Sequence, residues 1–263
     1  MNLGLEDKVA LITGGSRGIG FHTAAAFANE GCRIGICARS EQELVDAEAK
    51  LRPMSKYVHS VQADVCVPAD AARVLEECAS ELGGLDILVN NVGGAIGAPK
   101  LTESTSEDWE RTYAINLFQT VHMTRLSVPH FRKRGGGSIV NISSISGWEP
   151  QLSGSGQYGS SKAALIFLTE RLALEFAREC IRINTVSPGS IIWPDGGWDK
   201  FRLKNPEAFD AYVRNGFPMG RLGFPEEVAD VIVFLASPRA NWINGRNIPV
   251  DGLEQPVPAE RFW

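Results

Sequence analysis

Short apolar runs alternate with helical stretches along almost the whole chain. The first run, residues 9–13, ends at two glycines, and a helical pattern begins at Gly18. Apolar runs this brief are typical of strands that are buried on both faces. Strands that alternate with helices predict repeated β-α-β units, and therefore a parallel sheet with right-handed crossovers and helices on both faces.

The same pattern predicts where the individual strands and helices lie. The predicted strands cover residues 9–13, 33–38, 57–63, 85–89, 137–142, 181–186 and 248–250. The predicted helices cover residues 18–29, 41–51, 68–82, 106–134, 157–178 and 225–236. Pro129 is expected to kink the longest helix, and residues 194–220 are expected to be irregular with one or two short helices. No linker, repeat or low-complexity tract marks a boundary, so residues 1–263 are expected to form one domain.

The composition argues against several classes of protein. The chain has 263 residues and a formal net charge of -5, and an acidic surface repels nucleic-acid phosphates and anionic lipid. No apolar run is long enough to cross a bilayer or to form the core of a signal peptide. The five cysteines include no Cys-x-x-Cys pair, so buried, reduced thiols are expected. We therefore expect a cytoplasmic protein that binds neither nucleic acid nor membrane and whose cysteines hold no metal.

A glycine-rich turn, residues 13–20, stands between the first strand and the first helix. Its glycines follow the spacing G-x-x-x-G-x-G, which permits a tight turn and a close approach of the backbone to a pyrophosphate. The N-terminus of the following helix supplies free N–H groups and the positive end of the helix dipole. Alone, such a turn is weak evidence, because many glycine-rich turns bind nothing. The strand–turn–helix context favours dinucleotide binding.

Two arginines indicate which dinucleotide binds. An NAD site in this kind of fold carries an acidic residue at the end of the second strand, where it hydrogen-bonds the ribose 2′-hydroxyl. Here that strand ends Ala38-Arg39-Ser40, without an acid. Arg39, together with Arg17 from the turn, suits a 2′-phosphate, because guanidinium groups pair with phosphate through forked hydrogen bonds. Each arginine alone is commonly a solvated surface charge, but together they favour NADP(H), with NAD(H) as the alternative.

Tyr158 and Lys162 form a candidate acid–base pair. They are four residues apart at the start of a helical segment, so their side chains share one face. The ordinary pKa of a tyrosine, about 10, is too high for efficient proton transfer near neutral pH. A nearby ammonium group stabilises the phenolate and lowers that pKa. A lone Tyr-x-x-x-Lys is common by chance, but this one follows a nucleotide-binding turn.

These motifs fall in the order of a known family. After the turn come Asn90-Asn91-Val92-Gly93, Ser143-Ser144, Tyr158-Gly-Ser-Ser-Lys162 and Pro188-Gly189. Together they resemble the classical short-chain dehydrogenase/reductase family, and the form of the turn is similar to its β-ketoacyl-reductase-like branch. The resemblance covers roughly residues 5–252. It implies one Rossmann-type, doubly wound parallel sheet in the strand order 3-2-1-4-5-6-7, with a small lid over about residues 190–220.

The resemblance also implies roles for single residues. Tyr158 would be the general acid/base, Lys162 would lower the pKa of Tyr158 and bind the nicotinamide ribose, and Ser144 would hold the substrate oxygen. Asn116 would hold a water molecule of the proton relay to Lys162. The cofactor would lie, from its phosphates to its nicotinamide, against Gly14, Ser16, Arg17, Gly18, Ile19, Gly20, Arg39, Ser40, Asp64, Val65, Asn91, Gly93, Tyr158, Lys162, Pro188, Gly189 and Ile191.

The sequence departs from the family pattern in four places, the first of which is Val92 where the family usually has alanine. The stretch before Tyr158 is one residue longer than in many relatives, and Ser144 is chosen over Ser143 because it aligns with the end of the strand. The threonine that commonly helps to hold the nicotinamide is replaced by Trp193, which affects the details of nicotinamide and lid binding. The last strand ends in Asp-Gly-Leu instead of Asp-Gly-Gly, a change that we interpret as unimportant.

Aromatic residues crowd the implied lid. They are Trp193, Trp198, Phe201, Phe209, Tyr212 and Phe217. They predict an apolar or aromatic carbonyl substrate, or else they anchor the lid to the core or pack on a neighbouring subunit. Residues 148–152 are expected to form the opposite wall, and Gly196-Gly197 a hinge. Basic lid residues would attract an anionic thioester or remain solvated; they are Lys200, Arg202, Lys204 and Arg214.

The sequence leaves three functions open. The first is an NADP(H)-dependent reductase of a small carbonyl compound or dehydrogenase of the corresponding alcohol. The second is an NAD-dependent catabolic alcohol dehydrogenase, against which the missing acid near Ala38 argues. The third is a redox sensor that binds a dinucleotide without turnover, against which the intact catalytic residues argue. By family analogy we expect a homotetramer or homodimer paired through the helices 106–134 and 157–178, with residues 262–263 docked on a partner chain.

Overall fold

One parallel sheet forms the centre of the molecule. The computed structural model of the chain describes residues 1–150 and 155–255. The strands are β1 (Val9–Thr13), β2 (Arg33–Ala38), β3 (Val58–Gln62), β4 (Ile87–Asn90), β5 (Gly137–Ile142), β6 (Ile181–Pro188) and β7 (Asn247–Val250). They run in the order β3-β2-β1-β4-β5-β6-β7, and each neighbouring pair is parallel. The predicted fold class and strand order are therefore confirmed.

Helices cover both faces of this sheet. They are α1 (Gly18–Asn29), α2 (Glu41–Leu51), α3 (Pro68–Leu82), α4 (Ser106–Tyr113), α5 (Gln119–Arg134), α6 (Gly156–Phe176), α7 (Gly197–Lys204), α8 (Pro206–Gly216) and α9 (Pro225–Ala236). Local sequence explains several of their ends. The hydroxyl of Ser40 accepts from the backbone of α2, and Thr105 forms a capping box with Asp108 at α4. Gly83 and Gly135 end α3 and α5 in the left-handed conformation that favours glycine.

The predicted continuous helix over residues 106–134 is wrong in one respect. A π-helical segment, Ala114–Phe118, separates α4 from α5. Within it, the side-chain amide of Asn116 donates to the carbonyl oxygen of Thr112 at 2.8 Å, a side-chain bond that helical periodicity cannot reveal. Pro129 lies inside α5, which continues past it to Arg134. The ends of other helices and strands differ from prediction by one or two residues, which is ordinary fraying.

The alternation of side chains along each strand divides the core into two apolar clusters. In β1, Ala10 and Ile12 pack on one face of the sheet with residues of α1, α2 and α9. Val9 and Leu11 pack on the other face with residues of α3 and α5. Because both faces are buried, the strands read as continuous apolar runs, as a doubly wound sheet requires.

The carboxyl ends of all the strands meet at one edge of the sheet. The chain order reverses between β1 and β4, and in such sheets the crevice at the reversal is where ligands bind. The glycine-rich turn follows β1 at this edge, Arg39 follows β2, and Ser143 and Ser144 follow β5. The topology therefore gathers the predicted motifs at one place.

Two predictions about the whole chain remain predictions. In residues 1–150 and 155–255 no helix combines the length and the apolar character needed to span a membrane. The cytoplasmic location stays a prediction. The same holds for one domain over residues 1–263, since residues 151–154 and 256–263 lie outside the described part.

Candidate active site

A cavity of about 570 Å³ opens at the carboxyl edge of the sheet. Every residue that the sequence predicts to bind the cofactor lines this cavity, and Ser144 lines it as well. Asn116 lies behind the wall and does not line it. Other lining residues were not predicted as part of the site, among them Glu43 and Ile115. The cavity therefore joins residues from six loops that are distant in sequence.

The glycine-rich turn, where the phosphates of a dinucleotide are predicted to lie, forms one end of the cavity. Gly14 and Gly18 have φ angles of +65° and +54°, in the left-handed region that side chains disfavour. A Cβ atom on Gly20 would collide with the Gly14 carbonyl oxygen and lie 2.6 Å from Nδ2 of Asn91. Asn91 itself donates from Nδ2 to the carbonyl oxygens of Thr13 and Gly14, at 2.9 and 3.2 Å. The end of β4 thus holds the turn in shape.

The N-terminus of α1 faces this turn without a side-chain cap. The N-cap residue, Arg17, forms no side-chain cap hydrogen bond, and the first turn of α1 carries no acidic residue. The free N–H groups and the positive end of the helix dipole are a ready site for an anion. The indole of Trp193 lies across from them, since a Cβ atom on Gly18 would be 3.1 Å from its Cε2 atom.

The opposite side of the turn carries both positive and negative charge. Arg39 is exposed, and its guanidinium forms no ion pair or hydrogen bond within the described part of the chain. Nη1 of Arg17 lies 3.4 Å from Oε1 of Glu43, and the Ser16 hydroxyl donates to Oε2 of Glu43 at 3.1 Å. The backbone N–H of Glu43 donates to the Ser40 hydroxyl at 3.3 Å, and this N-cap hydrogen bond keeps Glu43 at this position. Glu43 was not predicted as a site residue, although its place in the first turn of α2, just after Arg39, was a usable signal.

Lys162 is buried in the wall at one end of the cavity, near Tyr158. Its side chain is 2% exposed, and its Nζ donates to the carbonyl oxygen of Ile142 at 2.7 Å. Burial lowers the pKa of Lys162 to about 7, because the ammonium form loses its hydration. The amine is therefore close to half-protonated at neutral pH, which suits a group that passes protons.

Tyr158 and Ser144 meet at the same end of the cavity. Burial raises the pKa of the Tyr158 phenol above its ordinary value of 10, and a hydrogen bond with Ser144 opposes this only in part. Nζ of Lys162 lies 5.8 Å from the centre of the Tyr158 ring. The sequence predicts a pKa lowered by Lys162; in the chain alone the pKa is raised, because loss of solvent disfavours the phenolate more than its surroundings favour it.

The two adjacent serines have different surroundings. The Ser143 hydroxyl is buried and donates to the backbone carbonyl oxygen of Lys162 at 3.0 Å. The Ser144 hydroxyl accepts from the backbone N–H of Ser146 at 3.2 Å and contacts Tyr158. Ser143 therefore braces α6 against β5, whereas Ser144 presents its hydroxyl to the tyrosine.

Asn116 shapes the wall next to Lys162. Its Oδ1 accepts from the N–H of Gly94 at 3.0 Å, and its Nδ2 donates to the carbonyl oxygen of Gly94 at 2.8 Å. A Cβ atom on Gly93 would be 2.7 Å from Oδ1 of Asn116 and 2.8 Å from Nζ of Lys162. Asn116, the loop after β4 and the lysine amine are therefore packed together, with room only for glycine between them.

The aromatic residues of the predicted lid divide between the cavity and an apolar cluster of their own. Trp193 and Trp198 line the cavity. The remaining four pack into a small apolar cluster within the lid, together with Trp198: Phe201, Phe209, Tyr212 and Phe217. Among the basic lid residues, Arg202 pairs with Asp199 at 2.7 Å and the other three are exposed. The aromatic pattern is thus largely explained by the lid's own core.

Two predictions concern residues that the structure does not fully cover. The wall expected from residues 148–152 includes residues 151 and 152, which lie outside the described part. The docking of residues 262–263 lies outside it too. In the part that is described, no group of three His, Cys, Asp or Glu side chains is placed to hold a metal ion.

Comparisons with known proteins identify the family. The family model described as Enoyl-(Acyl carrier protein) reductase matches residues 14–252. The Dehydrogenase/reductase SDR family member 4 of Oryctolagus cuniculus is 34% identical over 94% of this chain and 94% of that protein. The structure of L-sorbose reductase from Gluconobacter frateurii, complexed with NADPH and L-sorbose, has a TM-score of 0.88 at 35% identity, over 96% of this chain and 98% of that one.

A second solved structure carries the other nicotinamide cofactor. A 7α-hydroxysteroid dehydrogenase complexed with NADH and 7-oxo glycochenodeoxycholic acid has a TM-score of 0.85 at 29% identity, over 97% of each chain. The relatives therefore share the fold and bind either form of the cofactor. With a family model over residues 14–252 and near full-length relatives above 30% identity, the chain belongs to the short-chain dehydrogenase/reductase family of oxidoreductases.

Proposed function

We propose that this chain is an NADP(H)-dependent oxidoreductase that interconverts a small carbonyl compound and its secondary alcohol. One observation carries the proposal. A phenol, a hydroxyl and a buried amine, from Tyr158, Ser144 and Lys162, converge at one end of a cavity whose other end is a glycine-rich turn. The three side chains together suit proton transfer to a substrate oxygen, and the glycine-rich turn suits the binding of a dinucleotide.

The residues of the turn fit a dinucleotide. Glycine at positions 14, 18 and 20 leaves bare backbone, and the uncapped N-terminus of α1 offers N–H groups to phosphate oxygens. Asp64 and Val65 would border the adenine, and Pro188, Gly189 and Ile191 the nicotinamide. When bound, the nicotinamide would supply or accept the hydride, which no amino-acid side chain can do.

Tyr158 would hold and move the proton. Burial raises the pKa of Tyr158, so its phenol is protonated near neutral pH and can donate to a carbonyl oxygen during reduction. In the oxidation direction the phenol must first lose its proton, and the nearby Lys162 ammonium would stabilise the phenolate. Ser144, already hydrogen-bonded to Tyr158, would orient the same substrate oxygen. Asn116 would keep the relay beside Lys162 in place.

The charges at the adenosine end support NADP(H). No acidic residue ends β2, and Arg39 stands there exposed and without an ionic partner among the described residues. Arg17 and Ser40 line the same part of the cavity. A 2′-phosphate between two guanidinium groups would form several charge-assisted hydrogen bonds.

Glu43 favours a second candidate, an NAD(H)-dependent enzyme. Its carboxylate already holds Arg17 and Ser16, and it adds a negative charge where a 2′-phosphate would approach. A carboxylate at such a place can accept hydrogen bonds from ribose hydroxyls. We rank this candidate second because the pair with Arg17 is largely exposed, and exposed pairs are weak enough to be exchanged for a phosphate.

The substrate would lie between Tyr158 and the lid. Trp198 gives the lid side of the cavity an aromatic surface, which suits a carbonyl compound with an apolar or flat portion. The two related structures hold a sugar and a bile acid, so a test panel must span both kinds. Membership of the β-ketoacyl-reductase-like branch stays a prediction.

Self-association is also part of the proposal. Phe167 and Leu174 lie two turns apart on α6, so they share a face, and they are 74% and 73% exposed. An apolar stripe of this kind is typical of helix pairing between subunits. We expect a homodimer or homotetramer by light scattering, and a lower mass for Phe167→Glu but not for the equally exposed Leu101→Glu. A wild-type monomer at micromolar concentration would contradict this.

The test of the activity is a paired cofactor assay. NADPH and NADH oxidation would be followed with small ketones, a ketose, an oxo-steroid and a β-ketoacyl ester, using wild type, Tyr158→Phe and Tyr57→Phe. We expect turnover that prefers NADPH, falls about 10²- to 10⁴-fold in Tyr158→Phe and is unchanged in the exposed control. Full activity of Tyr158→Phe would refute the mechanism. Preference for NADH would favour the second candidate.

A further inference from the structure

The last described segment of the chain reaches back to the lid. Glu254 follows β7 by four residues, yet its side chain is buried. Its Oε2 accepts from the backbone N–H of Ser190 at 2.6 Å, and its Oε1 accepts from the Ser190 hydroxyl at 2.9 Å and the Tyr212 hydroxyl at 2.7 Å. One carboxylate therefore accepts three hydrogen bonds, two from Ser190 after β6 and one from Tyr212 in α8.

The approach of this carboxylate depends on neighbouring residues. A Cβ atom on Gly189 would lie 2.7 Å from Oε2 of Glu254, so only glycine leaves room for it. The N–H of Glu254 donates to the carbonyl oxygen of Asp251 at 3.0 Å, which forms the turn after β7. The next residue, Gln255, donates from its N–H to the carbonyl oxygen of Gly216 at 2.7 Å, at the end of α8. The segment is thus fastened to the lid by backbone as well as side chain.

Both partners of Glu254 are connected to the wall of the cavity. Ser190 lies between Gly189 and Ile191, which line the end assigned to the nicotinamide. The Tyr212 ring stacks on Trp198 with centres 4.7 Å apart and an angle of 9°. Trp198 lines the cavity from the lid. A displacement of the carboxylate would therefore be transmitted to both sides of the substrate space.

We propose that Glu254 is a positioning residue, which holds the junction after β6 and helix α8 in the arrangement that closes the substrate end of the cavity. The inference rests on the proposed function for its substrate, but the lid contacts themselves do not. Hydrogen bonds to a buried carboxylate are among the stronger ones in proteins, and their loss also leaves the hydroxyls of Ser190 and Tyr212 without this acceptor. The lid would then open more often.

Lid opening can be measured by proteolysis, without any activity. Lys200, Arg202 and Lys204 are exposed on α7 and are potential cleavage sites for trypsin. In the full-length protein we expect cleavage there to be about tenfold faster for Glu254→Ala and about threefold faster for Tyr212→Phe, with cleavage after the exposed Lys56 unchanged. Glu207→Gln, on the surface of the lid, is the matched control.

Kinetics separate positioning from general damage. With the best substrate of the panel, Glu254→Ala should raise the substrate KM about tenfold while the Kd for NADPH and kcat change less than about threefold. Glu254→Gln, which keeps one acceptor oxygen, should recover part of the loss. If Glu254→Ala does not fold, Tyr212→Phe and Ser190→Ala carry the same test.

Three results would overturn the inference. One is wild-type cleavage of the lid and a wild-type KM in Glu254→Ala. Another is faster cleavage at Lys56 and in the lid alike, which indicates a general loss of stability. The third is an equal effect of Glu207→Gln. If no panel compound is turned over, the proposed function fails, while the proteolysis still decides whether Glu254 holds the lid.

Discussion

Replacing Lys162 with methionine is expected to make the protein more stable while removing its proposed activity. The lysine is 2% exposed, and burial lowers its pKa from an ordinary 10.5 to about 7. In the unfolded chain the lysine keeps its ordinary pKa and is charged at neutral pH. Folding must then either bury this charge or remove the proton, and both lower the free energy of unfolding. At about 1.4 kcal/mol for each pH unit, the difference amounts to a penalty of about 5 kcal/mol.

The hydrogen bond of the lysine offsets part of this penalty. Nζ donates to the carbonyl oxygen of Ile142 at 2.7 Å, and methionine would leave that buried acceptor without its donor. Such a loss costs about 1–3 kcal/mol. Methionine is similar in length, apolar and flexible, so it fills the space that the lysine leaves. The expected net gain in the free energy of unfolding is therefore about 2–4 kcal/mol at pH 7.

The gain in stability of Lys162→Met must decrease as the pH rises above about 7. Between about pH 7 and 10.5 the unfolded lysine binds more protons than the folded one, so the wild type becomes more stable as pH rises. The advantage of the methionine variant should shrink by up to about 1.4 kcal/mol for each pH unit. Below about pH 7 both states are protonated, and the advantage should stay constant.

Urea unfolding at pH 7, 8 and 9 tests this reasoning. Wild type, Lys162→Met and Lys56→Met would be compared at equal protein concentration and without nucleotide, since oligomers and ligands shift apparent stability. Lys56 is exposed, so its replacement should change little at any pH. A methionine variant no more stable than wild type at pH 7, or an advantage that does not shrink by pH 9, would refute the claim that burial of the Lys162 ammonium lowers the stability of the wild type.

Two other substitutions test contacts elsewhere in the molecule. Asp86→Asn should lower the free energy of unfolding by about 1–3 kcal/mol in urea, because the buried carboxylate accepts two hydrogen bonds from Arg134, at 3.1 and 2.8 Å. The loss stays within this range because the Arg134 side chain is 37% exposed and remains partly solvated. An unchanged urea midpoint would contradict this prediction. Glu43→Gln should tighten the binding of 2′,5′-ADP about threefold and leave the binding of ADP nearly unchanged, as measured by calorimetry. The substitution removes a carboxylate that competes with the 2′-phosphate for Arg17. An equal gain for both nucleotides would show that the Arg17–Glu43 pair has no influence on 2′-phosphate binding.

Features that depend on neighbouring residues in the sequence could be predicted from it. The apolar runs of β1 and β2 and the glycine-rich turn between β1 and α1 are local patterns, and they lie where they were predicted. The spacing of Tyr158 and Lys162 follows from helix periodicity alone. The strand order followed from the family resemblance, because the order of the motifs along the chain is typical of one topology.

Features that depend on distant segments were missed or misjudged. The pKa of Tyr158 was predicted from its spacing to Lys162, but burial by the assembled cavity raises it. Glu254 was passed over because nothing in Asp-Gly-Leu-Glu indicates that the chain turns back toward Ser190. The π-helical segment around Asn116 was predicted as ordinary helix, since the side-chain bond within it has no periodic signature.

The sequence by itself determined the class of this protein and the chemistry available to it. It placed a glycine-rich turn, a tyrosine–lysine pair and two arginines on a chain of alternating strands and helices. Short-range sterics define the turn, and side-chain periodicity defines the strands and helices. Only the tertiary structure decided how these groups are tuned. Burial sets the pKa of Lys162, Glu43 balances the charge at Arg17, and Glu254 holds the lid. Desolvation and contacts between distant segments exist only once the sheet has brought the loops together.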